Sequence, residues 1–136
     1  MLFVQMNSIN QSTGENKNKM EHFLFFIGLS FLIAHEMDAI RCKEWRILPG
    51  FSLFSDTVGQ NVFVFAHIPL FILVFYQLAY ISDISGFVKG FDIFMIVHIV
   101  LHLLFLRHKN NDFKGWISWI LIIGAGLCGI ADLIIN

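Results

Sequence analysis

Four histidines set in apolar sequence carry the most distinctive chemistry of this chain: His35, His67, His98 and His102. His98 and His102 stand four residues apart, so on a helix they share one face, an arrangement that lets two imidazoles hold one ion. His35 is followed at once by Glu36 and three residues later by Asp38. Neutral imidazole nitrogen suits zinc, iron or copper, and a nearby carboxylate can complete the ligand set or accept a proton from an ion-bound water. His35, His67, His98 and His102 are therefore candidate metal ligands, and Glu36 and Asp38 candidate bases or fourth ligands. The same side chains can instead hydrogen-bond one another, pair Asp38 with Arg41, or face headgroup water with no metal involved.

The elements that must position them are read from hydropathy. Of 136 residues, 57% are hydrophobic and 14% charged, against about 25% charged in soluble domains, which excludes a single soluble domain. Nine basic against ten acidic residues give a net charge of −1, so no basic footprint for nucleic acid exists. Four apolar runs, at about 22–41, 60–81, 87–106 and 113–135, are each near the ~20 residues that cross a bilayer as a helix. They lack the alternation of strands. The expected fold is all-α, an integral membrane four-helix bundle with antiparallel up-down connectivity over residues 21–136. Residues 1–20 read as a polar mobile tail, with Met20 an alternative start.

Alternating helices bring the end of the first span, the start of the second and the end of the third to one membrane face. His35 lies six residues before Arg41, His67 seven after Gln60 and His102 five before Arg107, depths of about 8–11 Å at 1.5 Å per residue. The four histidines and two acids thus fall in one layer, where ionisable groups cost energy unless paired or wetted. Arg41, Lys43, Arg46, Arg107, Lys109 and Lys114 bias the 41–60 and 107–114 loops to the cytoplasm and both termini to the outside.

Other features read as structural. Glu44-Trp45-Arg46 resembles an interface anchor. Pro69 can kink the second span, and Gly124, Ala125, Gly126, Gly129 and Ala131 give the fourth small-residue faces for packing within the bundle or between copies of the chain. Asp132, at the far face, reads as a solvated end residue. Cys42 and Cys128 fall at different depths, which disfavours a disulfide. The sequence has no G-x-S-x-G elbow, phosphate loop, H-E-x-x-H motif or CxxC pair.

Several of these residues also carry a resemblance. His35-Glu36-Met37-Asp38-Ala39, Glu44-Trp45-Arg46 with Leu48-Pro49, His67-Ile68-Pro69-Leu70-Phe71, and His98 with Leu101-His102 and Arg107-His108 resemble an uncharacterised family of small bacterial four-span membrane proteins, over about Phe23 to Ile134. The resemblance implies the architecture and an inner-membrane location, and names no reaction. The chain is more loosely similar to membrane proteins named for a His-x-x-Glu-Glu motif, with Asp38 and Ala39 where the two glutamates would stand. By analogy of chemistry, His67, His98, His102 and Asp38 resemble the ligand set of intramembrane ceramidase and adiponectin-receptor-like zinc hydrolases, which have more spans.

Together these readings lead to an expected metal-dependent membrane hydrolase of a lipid-like ester or amide, with a divalent metal such as zinc held by His67, His98 and His102. His35 would be a fourth ligand or would orient one. The alternatives are a b-type haem protein, with iron between His35 or His67 and His98 or His102, and a non-enzymatic proton- or metal-handling or accessory subunit. The expected partners are the bilayer, a lipid-like substrate and a second copy docked through the fourth span.

Overall fold

The structure, a computed structural model, describes residues 22–136; the polar segment 1–20 and the alternative start at Met20 lie outside the described residues. Four helices follow in order: α1 (Phe23–Arg41), α2 (Asp56–Tyr80), α3 (Ser85–Leu104) and α4 (Trp116–Ile135). Each is long and apolar enough to cross a membrane, and no strand occurs among the described residues. The chain is an all-α integral membrane protein. The first helix could have run on to Leu48, since no proline or glycine interrupts it earlier. It stops at Arg41 because Lys43 takes a left-handed conformation, φ 53°, which reverses the backbone into a 3-10 turn at Glu44–Arg46.

The helices α1, α3 and α4 form the tight part of the bundle. The Phe25 N–H donates to Asp132 at 3.3 Å, and Arg41 donates to Ser118 at 3.3 Å. The start of α1 therefore lies against the end of α4, and the end of α1 against its start. Small residues make this approach close. A Cβ on Gly129 would meet the Asp92 carbonyl oxygen at 2.9 Å, and one on Gly28 the Cys128 Cβ at 3.0 Å. Gly126 and Gly124 face Ile99 and Phe31 in the same way. Gly124, Gly126 and Gly129 of α4 thus pack against this chain's own helices.

Helix α2 is peripheral. It carries Pro69 without interruption, buries only Gly59, Phe63 and Val74, and leaves Phe65, Ile72 and Phe75 exposed, as a lipid-facing helix should. Its start is tied to the turn after α1: Asp56 accepts from Lys43 at 3.1 Å and from Arg46, while the Trp45 indole lies so close to Gly59 that no Cβ would fit there. One apolar core, around Phe25, Leu29, Val88 and Met95, fills the end of the bundle near the start of α1. A second, around Ala39, Trp45, Phe63, Phe113 and Ile122, fills the other end.

Candidate metal centre

Helix α1 places His35 toward the bundle axis with no exposed surface. The successive side chain at Glu36 points about 100° further round, toward α2. From α3, His98 and His102 project one turn apart, their Nε2 atoms 3.2 Å from each other. The reversal at Lys43 then folds the following turn back over the bundle and delivers Glu44 between the imidazoles. Its Oε2 lies 3.6 Å from His35 Nε2, and its Oε1 3.6 Å from His102 Nε2.

Each of the four residues offers a ligand atom, and these atoms all lie within 4.8 Å of one another. Donors about 2.0–2.1 Å from a tetrahedral ion sit about 3.3 Å apart; the His98–His102 separation of 3.2 Å already matches such an edge, and the other donors, up to 4.8 Å apart, would draw in around an ion. A separation of 3.6 Å is too long for a hydrogen bond. Both His35 nitrogens and the Glu44 Oε2 are accordingly buried without a hydrogen-bond partner, a state that costs about 1–3 kcal/mol per group in a protein interior unless something else binds there. The donor set of three imidazoles and one carboxylate suits a divalent transition ion. Burial, followed by the negative charge of Glu36, pushes the Glu44 carboxyl up to about 8, with His67 opposing; a cation among the imidazoles would draw it back to the ionised form.

Phe113 closes the group from the side of α4. Its ring centroid is 5.4 Å from that of His35 and 4.7 Å from that of His102. The turn before α4 holds it there: Asn111 accepts from the Phe113 N–H at 2.9 Å and donates to the Phe105 carbonyl at 3.0 Å, and the Trp119 indole donates to the Phe113 carbonyl at 3.1 Å.

The remaining sequence candidates lie outside this group. His67 faces it across a cavity but bonds elsewhere: Nε2 is 2.8 Å from Glu36 Oε2, and Nδ1 is 2.6 Å from the Phe63 carbonyl. Asp38 points to α4, where it accepts from Ser118 at 2.5 Å and from Arg41 at 2.8 Å. Of the two acids, Glu36 lines the cavity with Glu44, His98 and His102, while Asp38 fastens the end of α1 to the start of α4.

Glu44 was the residue that helical spacing could not find, because it follows the end of the helix. Nor does the Glu44-Trp45-Arg46 segment form an interface anchor through its first two residues: Glu44 and Trp45 are 7% and 2% exposed, since the turn folds inward. Asp132 is likewise buried, not solvated. At the other end of the bundle it accepts from the Phe25 N–H and from Asn136, with His22 Nδ1 3.5 Å away. Beside it on α3, Asp92 is fully buried and interacts with the Asp132 carboxyl.

A family model described as a family of unknown function, DUF6713, matches residues 21–136. The chain belongs to that family. The matched span contains all four donor residues and the Glu36–His67 pair. No curated protein matches the DUF6713 chain, and no solved structure does.

Proposed function

We propose that this protein is a membrane-embedded, metal-dependent hydrolase of a lipid-like ester or amide. His35, His98, His102 and Glu44 would hold a divalent cation such as zinc. The observation that carries the proposal is the buried group of four converging donors, with His35 and Glu44 left unpartnered. A bound ion of this kind would polarise a carbonyl and lower the pKa of a bound water, the water entering in place of Glu44 or as a fifth ligand. Glu36, held by His67 and lining the same cavity, is the base placed to take that water's proton. Burial among apolar helices makes lipids the concentrated substrate. The basic residues of the 41–60 and 107–114 loops support a site opening at the cytoplasmic leaflet of a bacterial inner membrane, with the termini outside.

Haem gains no support from the geometry. A porphyrin between two axial imidazoles needs a flat slot, and here a third imidazole and a carboxylate fill that space within 4.8 Å. Proton or ion translocation draws some support from Asp92 and Asp132 at the far end, but Met95, Ile122 and Ala125 form an apolar core on α3 and α4 between the two groups, which disfavours a continuous relay.

The test is hydrolysis of long-chain fluorogenic esters and amides by zinc-loaded protein in nanodiscs. Turnover that a chelator abolishes, added zinc restores and Glu36→Gln suppresses is expected. No turnover of either substrate class with zinc, manganese or iron would overturn the hydrolase assignment.

A further inference from the structure

Two apolar spaces flank α2 and share three lining residues. The inner one, about 270 Å³, lies between α2 and α3 with Leu70, Phe94 and Leu101 on its walls and Glu44, His98 and His102 at its polar end. The outer one, about 260 Å³, lies between α1 and α2 against Met37, Ile40, Val64 and Ile68, all four of them exposed on the surface that faces lipid. Glu36, Phe63 and His67 line both. The 2.8 Å contact between Glu36 and His67 is thus part of the partition between a lipid-facing groove and the chamber that holds the candidate metal ligands.

We infer that the two spaces together bind a single-chain amphiphile. Its carbonyl-bearing head would lie in the inner chamber beside Glu44, His98 and His102, and its hydrocarbon tail would run past the Glu36–His67 pair into the outer groove. This rests on the reading of the centre as a lipid hydrolase, to which it adds the shape of the substrate and its route from the membrane.

Three observations select this ligand. The polar side chains are confined to one end of the inner chamber and to the partition, so the complementary molecule is polar at one end and apolar along the rest. Each space alone is smaller than the roughly 300–1,000 Å³ that holds a drug-sized ligand, so a molecule that occupies both is one slender chain passing the partition. Helix α2 is the least embedded wall, tied at its start by Trp45 on Gly59 and by the Asp56 ion pairs and to α1 by the Glu36–His67 contact, and the outer groove beside that contact already opens at the exposed Met37, Ile40 and Ile68, so a chain can enter there from the side.

The experiment uses full-length protein in phosphatidylcholine nanodiscs with two photoreactive fatty acids, palmitate and octanoate, each carrying a diazirine in the chain. Saturable crosslinks on Phe63–Leu70 and Phe94–Leu101 are expected. They should be displaced by excess lysophosphatidylcholine and not by the diacyl lipid already present. Leu70→Trp, which fills the inner chamber, should lower saturable labelling by both probes at least about tenfold, equivalent to about 1.4 kcal/mol. Ile68→Trp, which fills the outer groove, should do so for palmitate alone. Labelling that is unsaturable, spread over the exposed faces of all four helices and indifferent to both variants would overturn the inference. The double variant His98→Ala, His102→Ala separates the two proposals. Labelling retained there without metal upholds the amphiphile site even if the catalytic assignment fails, whereas metal-dependent turnover in a wild type that shows no saturable labelling refutes the amphiphile site alone.

Discussion

Shortening Glu44 by one methylene tests the donor geometry most finely. In Glu44→Asp the carboxylate retreats by about 1.5 Å, one carbon–carbon bond. Its oxygens now lie 3.6 Å from His35 Nε2 and from His102 Nε2, so each separation becomes about 5 Å. That exceeds the roughly 3.3 Å edge of a tetrahedral ligand set, and the carboxylate leaves the ion unless the turn at Glu44–Arg46 follows it. The turn is held in place by Lys43 and Arg46 on Asp56 and by Trp45 on Gly59. Changes one shell out from a metal commonly cost 10–100-fold in affinity, so loss of a direct ligand should exceed about 100-fold, or about 2.8 kcal/mol. Glu44→Gln keeps an oxygen in position but drops the charge, and its loss should be smaller. Affinity is read by competition against a chromogenic chelator in detergent, with far-ultraviolet circular dichroism to establish that each variant is folded. Zinc affinities for both variants within tenfold of the wild type would remove Glu44 from the centre.

Four further outcomes follow from the contacts. His67→Ala should retain the metal that His98→Ala loses, as measured by metal content of the folded variants, because His67 bonds to Glu36 and the Phe63 carbonyl and not to the donor group. Asp38→Ala should lower thermal stability by about 1–3 kcal/mol through its lost bonds to Ser118 and Arg41 while leaving metal content unchanged; metal loss in a folded Asp38 variant would contradict the role given to it. Gly59→Ala should push the Trp45 indole off α2, costing about 1–3 kcal/mol by overpacking, and should weaken metal binding by displacing the adjoining Glu44. Gly129→Ala should be less stable than Gly90→Ala by about 1–3 kcal/mol in matched denaturation curves. Both gain the same helix propensity, but only the first drives a Cβ into the Asp92 carbonyl, whereas nothing lies within 4 Å of the second.

Much of the architecture was legible because apolar runs of bilayer length have few alternatives. The observed helices differ from the hydropathy limits chiefly where polar residues continue a helix, as at Asp56–Gln60 before the second apolar run. Helical spacing and depth brought His35, His98 and His102 into one layer, and the structure joins them. Depth arithmetic gives height along a helix but not direction around it. It therefore placed His67 and Asp38 at the right level without showing that they face Glu36 and Ser118. Glu44 lay beyond reach for a different reason: the left-handed backbone at Lys43 reverses the chain, and no periodicity extends through such a turn. An acid a few residues past the end of a span, on the same membrane face as the histidines, was the one available signal. Asp132 escaped because its partners, the Phe25 N–H and His22, come from the opposite end of the sequence.

The most direct test is the metal content of protein purified in detergent without chelator, measured by elemental mass spectrometry beside the folded double variant His98→Ala, His102→Ala, with an absorbance spectrum of each. The expected result is about one equivalent of a divalent transition metal per chain in the wild type, lost in the variant, with no Soret band in either. Wild type that is folded and metal-free, and stays so after incubation with zinc, manganese and iron, would contradict the assignment of His35, Glu44, His98 and His102 as a metal centre.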